Sequence, residues 1–127
     1  MDNVLTAADF IARTGRAPLI WGHNDCATWA ASYWQEATGF DPAAALRGTY
    51  DSWISCRRVL VSNGGTLAVC RKLMAGIEAG GDGDGICVAK AQGQTIAGIL
   101  SNGRLWLKGD GMVASPVDFD ILERWAV

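Results

Sequence analysis

The stretch Trp21–Trp34, "WGHNDCATWAASYW", decides how this chain is read. It holds the single histidine, His23, three residues before Cys26. From Cys26 onward, apolar residues fall at Cys26, Trp29, Ala30, Tyr33, Trp34 and Ala37. That spacing predicts a helix with one buried face. Asn24 or Asp25 is placed to cap it, and Gly39 to stop it. Cys26 then sits in the first turn, on the inward stripe.

The flanks fit further helices. "LTAADFIARTG" predicts a short one, with Thr6 as cap, Asp9 three residues later and Gly15 as stop. "DPAAALRG" offers a helical turn opening at Asp41-Pro42. "YDSWISCRRVLVSNGG" has helical spacing at Trp53, Cys56, Val59 and Leu60, and "TLAVCRKLMAGIEAGG" follows with Thr66 as its expected cap.

The pattern changes at "GGDGDG", read as a flexible connection into a sheet. "GICVAKA" and "QTIAGIL" predict two strands joined at Gln92-Gly93. "SNG" turns into "RLWLKG", and "GDG" leads to "MVASP". "VDFDILERWAV" is expected to close the domain as a short helix or turn with an apolar end. Helices first and strands second predict an α+β fold in one domain over 1–127. The helical part is expected over about 1–79 and a small antiparallel sheet over about 83–127.

Bulk properties exclude several classes. The formal net charge is −2 and no basic stripe appears, which argues against nucleic-acid binding. No window reaches the ~20 apolar residues of a membrane span. "MDNVLTAADFIARTG" carries acids and no long apolar run, so no secretory signal is expected and synthesis in a cytoplasm is. Cys26, Cys56, Cys70 and Cys87 form no C-x-x-C pair and match no structural zinc spacing. Reduced thiols are expected, with no metal and no cofactor.

Cys26 is the candidate nucleophile. A thiol at a helix N-terminus meets unpaired amides and the positive end of the dipole, which favour the thiolate. On position alone the favoured reading of the same cysteine is a small apolar residue that opens the buried stripe. His23 is a weak candidate for the base, because catalytic pairs draw their members from different elements. Asp25 is expected to cap the helix; facing the sulfur, it would disfavour the thiolate.

The residues Trp21-Gly22, Asp25-Cys26, Trp29, Thr38-Gly39, Asp41-Pro42, Arg47-Gly48 and Tyr50 resemble the front half of small phage-tail proteins. Those proteins are related to the NlpC-type, papain-fold cysteine peptidases. Gly64-Gly65, Gly83-Asp84, Gly98-Ile99, Gly111-Met112, Pro116 and Trp125 extend the resemblance along nearly the whole chain. It implies a cysteine-bearing helix packed on an antiparallel sheet. It also implies a place in the virion, at the tail tip, beside hub and distal tail proteins.

Active relatives cut peptidoglycan stem peptides with a cysteine and a histidine on the second strand. Here Thr95, Ile96 and Ala97 occupy that place, and no histidine follows His23. Loss of a general base costs ~10²–10⁴-fold in rate. The leading expectation is a structural tail-tip component with an impaired peptidase fold. The alternatives are an active peptidoglycan endopeptidase or amidase using Cys26, and a module that grips wall peptides without cutting.

Overall fold

The computed structural model describes residues 6–127. The expectations for Met1–Leu5, namely the start of the helical part and the absent secretory signal, lie outside the described residues. Helix α1 (Ala7–Thr14) opens at Thr6, whose hydroxyl accepts the Asp9 amide. Helix α2 (Cys26–Thr38) opens on a reciprocal capping box. The Asp25 carboxylate accepts the Thr28 amide, and the Thr28 hydroxyl accepts the Asp25 amide. Gly39 ends α2 at φ +87°, a left-handed cap.

Helix α3 (Trp53–Ser62) has the same device from Ser52 and Ser55. Helix α4 (Thr66–Leu73) starts one residue earlier than expected: Gly65 is the N-cap, and Thr66, the expected cap, is the first helical residue. "DPAAALRG" forms a run of turns in place of a regular helix.

Five strands follow: β1 (Gly85–Ala91), β2 (Gln94–Ser101), β3 (Arg104–Lys108), β4 (Val113–Ala114) and β5 (Asp120–Ala126). They form one antiparallel sheet in the order β4-β3-β2-β1-β5. Two-residue turns at Gln92-Gly93 and Asn102-Gly103 join β1 to β2 and β2 to β3. All four residues have positive φ, which matches the twist of a tight hairpin.

The closing segment corrects the expectation of a helix or turn. It is a strand, β5, which crosses the sheet to pair with β1. Ala89 faces Ile121 and Val88 faces Glu123, so Leu122 is an extra residue in a bulge. The bulge sets Ile121 and Leu122 side by side and removes the period-2 pattern by which a strand is recognised.

The helices cover one face of the sheet. Phe10, Trp29, Tyr33, Trp34 and Met74 pack there against Ile86, Val88, Ile99 and Trp125. Each fully buried side chain of this size contributes about 1.5–3 kcal/mol. Trp29 also donates its indole N–H to the Thr14 hydroxyl at 2.8 Å, which ties α2 to the end of α1. Cys87, Ala89, Leu100 and Leu105 fill the other face with Leu107 and Phe119. The fold is therefore α+β, as expected.

Gly98 of β2 lies against the side chains and backbone of β3. A Cβ at Gly98 would stand 2.8 Å from Leu105 Cδ1 and from the Trp106 carbonyl oxygen, and 2.9 Å from Leu107 Cδ2. Replacement by alanine forces these apart, at about 1–3 kcal/mol. Urea unfolding of Gly98→Ala should show that loss as a lower midpoint at unchanged slope; an unchanged midpoint would contradict the packing.

Candidate functional site

The site is built around a buried carboxylate. Asp25 is 2 % exposed and accepts three hydrogen bonds: from the Thr28 amide (3.1 Å), the Gly22 amide (2.8 Å) and the Tyr50 hydroxyl (2.7 Å). A negative group at a helix N-terminus is favoured by the dipole, and bonds to a charged acceptor are the strong ones. One side chain thus joins the connection before α2, the start of α2 and the turn that precedes α3. Burial, and then the bond and charge of Asp25, push the Tyr50 hydroxyl well above its ordinary value.

Arg47 adds a second clasp. Its guanidinium grips Asp41 through Nε (2.8 Å) and Nη2 (3.1 Å). Nη2 also reaches the Ser32 hydroxyl (3.1 Å) and the Thr28 carbonyl (3.3 Å), while Nη1 reaches the His23 carbonyl (3.4 Å). Gly48 donates its amide to the Gly22 carbonyl at 3.0 Å. Asp25, Asp41, Arg47, Gly48 and Tyr50, which were singled out in the sequence, therefore form one network around the front of α2.

Burial raises the Asp41 carboxyl, but the Arg47 bond, the Ala43 amide and the Arg47 charge outweigh it, and the net shift is downward.

Cys26 is the first residue of α2 and is partly buried. Its thiol donates to the Lys108 carbonyl at 3.2 Å, across to the end of β3. The helix N-terminus alone would lower its pKa. Here burial, and then the charge of Asp25, push it up to about 11; Lys108 pulls the other way and does not offset them. The desolvated thiol, not the thiolate, is the resting form.

Lys108 was not distinguished by sequence, where it ends an ordinary strand pattern. It is 4 % exposed, and its ammonium donates to the Ala17 and Gly109 carbonyls, both at 2.6 Å. Burial lowers its pKa. The side chain straps the α1–α2 connection to the end of β3 while its carbonyl holds the Cys26 thiol.

His23 and Cys26 are not brought together. His23 is exposed, and its ring Cε1 lies 3.8 Å from where a Cβ on Gly48 would stand. Among the described residues no hydrogen bond joins it to Cys26. In the β2–β3 pairing Ile99 faces Trp106, two residues before Lys108. The β2 positions expected to carry a base hold Thr95, which is exposed, Ile96, which is half-buried, and Ala97, which is buried, and none of them has a side chain that can take a proton.

Two cavities open elsewhere. One of about 440 Å³ lies between the Lys90–Gly93 turn and Val117–Asp120. Another of about 280 Å³ is lined by Leu46, Val59, Val69 and Leu73 among others. Neither is lined by Cys26. Among the described residues no group of three His, Cys, Asp or Glu is placed to hold a metal, and no helix is long and apolar enough to cross a membrane.

A family model described as a domain of unknown function, DUF6950, matches residues 3–127. The chain belongs to the DUF6950 family. No curated protein and no solved structure matches it. The match takes in both the α2 network and the whole sheet, so this DUF6950 domain is the unit that carries Cys26, Asp25 and Lys108.

Two measurements follow from the electrostatics. Arg47→Met should lower stability by about 2 kcal/mol at neutral pH, since it leaves Asp41 partly buried and unpaired. The Asp41 pKa is depressed in the folded state, so its contribution is complete above the ordinary carboxylate value of ~3.9 and is lost as pH falls through the lower folded value. The wild-type advantage over Arg47→Met should therefore shrink only in that acid range; an equal gap at all pH values would contradict the ion pair. Separately, in the Cys56→Ser/Cys70→Ser/Cys87→Ser background, alkylation of Cys26 should titrate near pH 11. A midpoint at or below the ordinary ~8.5 would show an activated thiolate.

Proposed function

We propose that the chain is a structural component of a bacteriophage tail tip, with a papain-like fold that lacks a working peptidase centre. Of the residues that resemble the tail-protein family, Gly22, Asp25, Asp41, Arg47, Gly48 and Tyr50 converge on the start of α2. The observation that carries the reading is that Cys26 has no imidazole beside it: His23 is exposed and apart from it, and Thr95, Ile96 and Ala97 stand where a strand base was expected. A thiol with no imidazole beside it and a pKa near 11 has little nucleophilic form at neutral pH. The Asp25–Arg47 network then serves shape: it fixes the turn 41–50 and the α2 start as one rigid surface.

On this reading the partners are other tail-tip proteins, the hub and distal tail proteins among them, and the protein is made in the host cytoplasm and carried in the virion. The purified chain should leave muropeptides uncut at neutral pH, and particles assembled without it should have malformed tail tips in electron micrographs. Normal tips would remove the assembly role. Muropeptide cleavage that disappears in Cys26→Ser would replace the reading with an active endopeptidase, and saturable binding of uncut muropeptides would point to a wall-peptide grip.

A further inference from the structure

Ten large apolar side chains stand exposed among the described residues, and six of them fall in two patches of opposite charge. The first patch is the outer face of α3. Trp53 (56 % exposed), Ile54 (58 %) and Val61 (67 %) lie there with Arg57 and Arg58. Positions 53, 57 and 61 follow the i, i+4, i+8 line of one helix face. The inner side, Cys56 and Val59, is what packs on the body, and no residue of α3 is fully buried. The Arg57 guanidinium lies over the Trp53 ring, 5.7 Å from its centre.

The second patch is Val117–Leu122, running into β5. Val117 (91 % exposed), Ile121 (38 %) and Leu122 (41 %) stand out beside Asp118 and Asp120. β5 is an edge strand. Gly80 covers its far half, donating to the Arg124 carbonyl and accepting from the Ala126 amide. Among the described residues no such cover is found over Asp120–Leu122. Arg57, Arg58, Asp118 and Asp120 have no ion-pair partner among them either.

We propose that the α3 face of one copy docks on the Val117–Leu122 patch of the next, as a head-to-tail contact between copies of this chain. Both surfaces are apolar at the centre, and their net charges are opposite in sign: Arg57 and Arg58 on one, and on the other Asp118 and Asp120, which outnumber the neighbouring Lys90. Contiguous exposed apolar surface of this kind marks interaction sites. Charge sets the mode. A two-fold contact of α3 on α3 would oppose four arginines, and of the acidic patch on itself four aspartates, whereas the crossed pairing neutralises both. The contact stands apart from the tail-tip reading, because it is read in solution without particles.

Sedimentation velocity of the full chain tests it. At about 50 mM salt the wild type should associate as concentration rises toward about 100 μM, and should dissociate as salt screens the charges. R57E/R58E and D118K/D120K should each remain monomeric. An equal mixture of the two should associate again, since each variant presents the sign the other lacks. The neutral pairs R57Q/R58Q and D118N/D120N should weaken association about tenfold or more. A wild type that stays monomeric throughout would overturn the contact. So would a mixture that stays monomeric, or association lost in R57E/R58E but kept in D118K/D120K, which would indicate a helix-to-helix dimer.

Discussion

The Asp25 carboxylate is the constraint on which the rest of the site depends. It is almost wholly buried, and a buried carboxylate is tolerated only when its lone pairs are filled. Thr28, Gly22 and Tyr50 fill them from three separate parts of the chain. Losing any one donor leaves charge facing a low-dielectric interior, so the three parts hold or fail together. Arg47 repeats the logic one layer out, where its fork on Asp41 fixes the same turn against α2. The front of α2 is braced by polar bonds and its rear by aromatic packing, and this combination positions Cys26.

That bracing also determines what Cys26 can do. A helix N-terminus offers a thiolate a few favourable dipoles, but Asp25 already takes the Thr28 amide. The carboxylate that stabilises the helix start is thus a cost to the thiolate beside it. Desolvation against β3 adds to the cost and is the larger effect. The arrangement that makes α2 stable and the arrangement that would activate its first residue compete for the same amides, and here stability prevails. Lys108, whose charge favours the thiolate, is committed to two carbonyls.

Much of the framework was legible along the chain. α2 was visible because its apolar stripe, its cap and its terminal glycine agree, and local agreement of that kind leaves few alternatives. The β1–β2 and β2–β3 hairpins were visible because a two-residue turn with positive φ has a distinct composition. The start of α4 was displaced by one residue, since Gly65 and Thr66 are both acceptable at a helix start. β5 was missed for a tertiary reason: its ladder is supplied by β1, thirty or more residues earlier in the chain, and its bulge erases the alternation. The site was partly legible. Asp25 and Cys26 announced themselves by position, whereas Lys108 looks like any lysine at the end of a strand until Ala17 folds over it.

The sequence by itself determined the helices, the hairpins, the α+β order and the seat of Cys26 at a helix start, because each of these is set by residues within about one or two turns of chain. Only the tertiary structure decided the character of the site. Whether Cys26 is a thiolate or a thiol depends on burial against β3 and on the charge of Asp25; whether His23 can serve it depends on where the Arg47 clasp turns the chain. Those are sums of through-space electrostatics and desolvation, and they have no value until distant segments meet.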